Sequence, residues 1–221
     1  MTNNHKKARR NMILSQLEPN QVTDTSLLKA MGRLPREYFV PSNLSGLAYI
    51  DTSVEIVPGR FLVAPMIIAK MIQESNIKSE EIVLDIACGT GYSTAVLAHL
   101  AGTVVGIESN DMLVEQASQI LSDLEIDNAA VIKGSPVDGY SNQGPYDVII
   151  LNGSIDFVPQ KLLDQLSDYG RLVCVEGTRS LGKAVQYQKL GMSYARKELF
   201  DASIPAIPEL TKSEGFVFNL V

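Results

Sequence analysis

The residues with the most chemistry in them run from Val83 to Gly91, Val-Leu-Asp-Ile-Ala-Cys-Gly-Thr-Gly, with Glu108 closing the next apolar run. An apolar stretch ends in a carboxylate, a turn of small residues follows, and a helix-like segment spans Tyr92 to Leu100. A second apolar stretch, Val104 to Ile107, leads into Glu108. Gly89 and Gly91 admit backbone angles and a close approach that a side chain would block. Free N–H groups at the start of the next helix favour an anionic or polar ligand group. Glu108, at a strand tip, is placed to accept hydrogen bonds from ribose hydroxyls. Types and spacing together describe a nucleoside-cofactor site.

The dinucleotide fingerprint closes with a third glycine that lets helix and strand approach, and here that position is Thr94. The D-x-A-C-G-T-G form, Asp85 to Gly91, instead resembles the first motif of class I S-adenosylmethionine-dependent methyltransferases. That resemblance implies S-adenosyl-L-methionine as cofactor, with Asp85, Ala87, Cys88, Gly89, Gly91, Glu108 and Ser109 around it.

The elements that must position these residues are legible as alternating strands and helices. Strand candidates are 82–86, 103–107, 129–133, 147–151 and 171–175. Val148-Ile149-Ile150-Leu151 lacks polar alternation, as expected of a parallel sheet covered on both faces. The segment from Asp111 to Leu124 sets Leu113, Ala117, Ile120, Leu121 and Leu124 on one helical stripe, and a shorter helix from Pro159 includes Leu162, Leu163 and Leu166. Shorter strands at 183–190, 194–200 and 216–220 suit an antiparallel edge. Upstream, helices are expected at 8–17 and 25–31, the second capped by Asp24 or Thr25. A loop-rich stretch from Leu34 to Gly59 precedes a helix that starts at Pro65.

Composition narrows the function. The 221 residues suit one domain with a real core. A hydrophobic share of 45% against 20% charged excludes a disordered class. A net charge of −6 argues against nucleic acid as partner, and the apolar runs are too short for a membrane span. Cys88 and Cys174 imply no disulfide framework, which fits a reducing cytoplasm. His5 and His99 are the only histidines, so no metal site and no Ser-His or Cys-His pair is expected. The basic cluster His5 to Arg10 reads as the solvated face of a first helix.

A second resemblance covers residues 8–219. Arg10-Asn11-Met12, Gln16-Leu17, Pro35-Arg36-Glu37-Tyr38-Phe39-Val40-Pro41, Ala48-Tyr49-Ile50-Asp51 and Gly59 through Pro65 occur in that order. Leu162 to Leu166, Gly170 to Val173 and Gly177 follow. This succession resembles the protein-L-isoaspartate O-methyltransferases. The resemblance implies a Rossmann-like α/β fold: a mostly parallel seven-stranded sheet with helices on both faces, an antiparallel C-terminal edge and an N-terminal helical lid. It implies a single methyltransferase domain over 1–221, with 8–65 as lid and 66–221 as cofactor-binding core. The implied reaction is protein repair: methylation of the α-carboxyl of an isoaspartyl residue in a damaged protein, whose ester closes to a succinimide. A carboxylate is already an anion at neutral pH and needs no general base.

The departures from the family pattern fall at the substrate end. Where the family reads roughly G-Q-T-I-S-x-P, this chain has Gly59-Arg60-Phe61-Leu62-Val63-Ala64-Pro65. Val63 stands for a serine and cannot donate a hydrogen bond. Gly134-Ser135 stands for Gly-Asp at the adenine amino group, and Asn152-Gly153-Ser154 for a T-A-A-like stretch, so Gly134, Ser135 and Asn152 complete the expected cofactor set. Three readings stay open. The acceptor is an isoaspartyl protein or peptide, its carboxylate held by Arg60 and backbone N–H groups. It is another, possibly small-molecule, acceptor in a drier pocket of Phe61, Leu62 and Val63. Or the chain binds the cofactor and has lost the chemistry.

Overall fold

The computed structural model describes residues 3–177 and 182–212. Its centre is a seven-stranded sheet in the order β5-β4-β3-β6-β7-β8-β9. The strands are β3 (Ile82–Ile86), β4 (Thr103–Glu108), β5 (Ala129–Lys133), β6 (Tyr146–Ile155), β7 (Leu166–Glu176), β8 (Lys183–Leu190) and β9 (Ser193–Asp201). The first five are mutually parallel, and β8 and β9 add antiparallel. The expected 216–220 strand lies outside the described residues.

Successive side chains of a strand point to opposite faces, and both faces of this sheet are apolar. Val83, Val104, Val148 and Ile150 pack with Ile68 and Met71 of α3 (Pro65–Ser75), Val96 of α4 (Tyr92–Ala98) and Leu113 of α5 (Asp111–Asp123). Leu84, Val105, Ile149 and Leu151 face the other way, onto Leu162 and Leu163 of α6 (Gln160–Asp164) and onto Ile207 and Leu210. Helix α6 is shorter than its sequence suggests. Leu166 pairs with Tyr146 as the first residue of β7, because Tyr146 N–H takes the Gln165 carbonyl.

The N-terminal third is less regular. Helix α1 (Asn3–Met12) starts before the expected boundary and passes into a wide π turn at Ile13–Leu17. Helix α2 (Thr25–Arg33) is capped by Asp24, whose carboxylate accepts from Ser26 and Leu27 N–H. The basic cluster is not uniformly solvated: Lys6, Lys7 and Arg10 are exposed, but Arg9 is buried, its Nη1 donating to Arg33 O at 2.6 Å and its Nε to Tyr49. Glu37, also buried, lies beside both Arg9 and Tyr49.

Within the expected loop from Leu34 to Gly59, two 3₁₀ turns (Arg36–Phe39 and Ser42–Leu47) precede a hairpin, β1 (Val54–Val57) and β2 (Arg60–Leu62). Arg36 fixes its base. The side chain has no solvent exposure, Nε donates to Ala48 O at 2.7 Å and Nη2 to Val63 O at 2.5 Å. Its guanidinium lies over the Tyr92 ring, 4.4 Å from the centroid. Replacing it leaves two carbonyls without their charged donor, so Arg36→Ala should cost about 3 kcal/mol of unfolding free energy in urea titration. A loss below about 1 kcal/mol would show that the hairpin base is held by other means.

Candidate active site

The strand order turns about β3, with β4 on one side and β6 on the other. Crevices at the carboxyl ends of such strands are where open α/β sheets bind ligands. The glycine turn leaves β3 there. Ala87, Gly89 and Gly91 all have positive φ, at 54°, 58° and 87°. An alanine in this region is strained, and two glycines relieve the remainder of the reversal.

Asp85 anchors the turn from below. It is fully buried, accepting from the Ser93 and Thr94 hydroxyls at 2.7 Å and from Asn152 Nδ2 at 2.6 Å. Asn152 also donates to Ile86 O at 3.0 Å, tying the end of β6 to β3. Cys88 is buried and its N–H donates to Ile107 O; burial pushes its thiol well above the usual range. Gly134 N–H donates to Glu108 O, which brings the end of β5 beside β4. The Ser135 hydroxyl closes its own turn by accepting from Val137 N–H at 3.2 Å.

Glu108 has no solvent exposure, and both its oxygens are taken. Oε1 accepts from Ser109 N–H at 2.8 Å and Asn110 N–H at 3.0 Å, and Oε2 from Gly89 N–H at 3.0 Å. Arg60 Nε bridges both oxygens, at 3.0 and 3.1 Å. Arg60 Nη2 reaches Ser109 Oγ at 2.8 Å and Glu209 at 2.5 Å. Burial works against the Arg60 charge, but Glu209 and Glu108 outweigh it and raise its pKa. Arg60, expected either to hold an acceptor carboxylate or to lie on the surface, is thus found on Glu108, the residue expected to hold the ribose. Strand alternation explains it: Arg60 and Leu62 are buried, while Phe61 is only half-buried.

The rest of the hairpin follows. Ile56 Cδ1 lies 2.8 Å from where a Cβ on Gly89 would stand, so the hairpin occupies space that only glycine leaves open. The Thr90 hydroxyl donates to Phe39 O at 2.6 Å. The space between hairpin and turn that Ile56, Leu62, Val63, Cys88 and Asn152 wall holds about 10 Å³, and a groove of about 340 Å³ walled by Val57, Thr90 and Gln116 lies on the α5 side of the hairpin. Ligand pockets are commonly several hundred Å³. A groove of about 840 Å³ runs on the outer side, between Asp51, Glu55, Phe61 and Met66 and the segment Ser203–Pro208. Pro65 opens α3 at its edge.

Sequence reasoning placed Asp85, the turn, Glu108, Ser109, Gly134 and Asn152 close together, as they are. It missed Ile56, Glu209 and the tie from Thr90 to Phe39. The alternation in Val-Glu-Ile-Val before Pro58-Gly59 carried the signal for Ile56; nothing local marks Glu209, 149 residues from Arg60. The donor set fits a nucleoside: a carboxylate at a strand tip, backed by three backbone N–H groups, beside a glycine that a bulky neighbour can approach.

The family model for protein-L-isoaspartate(D-aspartate) O-methyltransferase matches residues 8–203. The chain belongs to this family. The protein-L-isoaspartate O-methyltransferase of Methanoculleus marisnigri is 34% identical over 184 residues, 83% of this chain and 84% of the relative. That of a Synechococcus strain is 38% identical over 169 residues, 76% and 69% of the two chains. A putative protein-L-isoaspartate O-methyltransferase from Plasmodium falciparum, solved with S-adenosyl-L-homocysteine, superposes with a TM-score of 0.75 at 21% identity, covering 93% of this chain and 98% of that one. The chain is therefore a methyltransferase of the S-adenosylmethionine-dependent class, with the family's sheet. Among the described residues no helix is long and apolar enough to cross a membrane.

Within this methyltransferase the Asp85 carboxyl has its own pH signature. Burial raises its pKa to about 6, against the pull of the Ser93, Thr94 and Asn152 donors. A raised folded-state pKa contributes stability fully present below the ordinary carboxylate value and lost as pH rises through about 6. From pH 4 to 7 the unfolding free energy of the wild type relative to Asp85→Asn should fall by up to about 3 kcal/mol. Parallel urea-midpoint profiles for the two proteins would contradict this.

Proposed function

We propose that this chain methylates the α-carboxylate of isoaspartyl residues in proteins or peptides, with residues 8–65 acting as a lid on a single methyltransferase domain. Family membership along most of the chain supports the acceptor, and the Glu108 tip beside the Gly89–Gly91 turn is the observation that carries the cofactor site. The cofactor supplies an electrophilic methyl group on a sulfonium. Glu108 would hold the ribose hydroxyls, the turn from Ala87 to Gly91 the polar end, and Ser109, Gly134, Ser135 and Asn152 the remaining edge.

The acceptor carboxylate is its own nucleophile, so the chain has no proton to move. Its work is alignment and exclusion of water. Phe61, Leu62 and Val63 give the inner wall of the site an apolar lining, and Phe61 also lines the 840 Å³ groove, which has room for an extended peptide. With both cysteines buried and free, we read the enzyme as cytoplasmic.

Three measurements check this. An isoaspartyl peptide should accept label from the cofactor and its aspartyl isomer should not. Val63→Ser should raise turnover, because an orienting donor for the carboxylate can be worth orders of magnitude in rate; unchanged or lower activity would indicate a different acceptor. With the Arg60–Glu108 pair already absent, as in Arg60→Gln, adding Glu108→Ala should weaken S-adenosyl-L-homocysteine binding by about 1–3 kcal/mol in calorimetry. Undiminished affinity would move the ribose elsewhere.

A further inference from the structure

The ribose acceptor of this site already has a ligand, and it comes from the chain itself. A guanidinium edge covers both Glu108 oxygens, a second carboxylate, Glu209, holds the same guanidinium from outside, and Ser109 Oγ joins both. Ile56 of the same hairpin fills the approach to Gly89. Pro208, beside Glu209, lies 3.1 Å from where a Cβ on Gly59 would stand, so the hairpin tip is also seated on the C-terminal segment. The closure is therefore built from three sides, and the space walled by Ile56, Leu62, Val63, Cys88 and Asn152 holds only about 10 Å³.

We propose that Arg60 is an internal competitor for the cofactor: it latches the β1–β2 hairpin onto Glu108, and the nucleoside binds only when that latch releases. The proposal rests on the cofactor reading above and concerns this chain's arginine, which stands where the family pattern has a glutamine. A polar ribose hydroxyl and a guanidinium cannot share the same carboxylate lone pairs. Docking of the hairpin and binding of the nucleoside are then mutually exclusive, and the apparent affinity is reduced by the fraction of molecules that are open. Arg60 is also positioned to exchange partners. Once a ribose takes Glu108, Arg60 keeps Glu209 and turns a free edge to whatever occupies the outer groove.

The test uses the full chain, S-adenosyl-L-homocysteine and three proteins: wild type, Arg60→Gln and Glu209→Gln. Arg60→Gln removes the charge that holds the hairpin, and Glu209→Gln weakens it from outside while leaving Glu108 untouched. Calorimetry should show tighter binding in both variants, about tenfold or more for Arg60→Gln and less for Glu209→Gln. Without ligand, amide hydrogen exchange over residues 54–62 should be faster in both variants than in the wild type. If Arg60→Gln does not fold, the Glu209→Gln pair of readouts decides the matter alone. Equal or weaker binding in the folded variants, with unchanged exchange over 54–62, overturns the latch while leaving the cofactor reading intact. Absence of binding heat in all three proteins overturns the cofactor reading, and the competition with it.

Discussion

A carboxylate with no access to water must be given donors or a counter-charge, because an unpaired buried charge is far more costly than a buried amide. Glu108 receives both: three backbone N–H groups from the tips of β3 and β4, and the guanidinium of Arg60. Much of the molecule's arrangement serves that one group. Parallel β3 and β4 bring the glycine turn and Glu108 within hydrogen-bond reach. Asp85, Asn152 and the positive-φ residues hold the turn in the shape that aims Gly89 N–H at the carboxylate. Arg36 and Phe39 anchor the segment from which the hairpin reaches over.

The same electrostatics give the site two alternatives. A buried ion pair contributes little net stability when its desolvation is counted, but breaking it without a replacement is strongly unfavourable. Any ligand that displaces Arg60 must itself satisfy Glu108, and a vicinal diol does so with neutral donors. Arg60 is not stranded in the exchange, since Glu209 is 32% exposed at its side chain and sits at the open edge. Opening therefore moves a charge toward water, which is the less costly direction. A methyl transfer from sulfonium to carboxylate needs dryness and alignment.

The parallel core was legible because its signals are local. Apolar runs bounded by turn residues gave β3 and β5 their observed limits, and the helical stripe of α5 was read to within one residue. Boundaries were lost where long-range pairing decides them. β6 runs on to Ile155 because Ser154 exchanges backbone hydrogen bonds with Pro205 and Ile207, and β7 starts at Leu166 because Tyr146 pairs with it. The hairpin was hidden by its size, two strands of four and three residues around Pro58-Gly59, which reads as loop. Arg60 was singled out by its type, but its partner could not be: Glu108 was assigned to a ligand, and Glu209 lies far away in sequence. Arg9 was misplaced for a related reason, since nothing near it in sequence announces Glu37 and Tyr49 as its burial partners.

Whether one carboxylate serves two exclusive partners is decided by a crystal structure of the chain with S-adenosyl-L-homocysteine. The ribose hydroxyls are expected on Glu108, with Ile56 withdrawn from Gly89 and Arg60 off Glu108, its contact to Glu209 kept or exchanged for solvent. A nucleoside bound at the strand ends with the Arg60–Glu108 pair intact would contradict it.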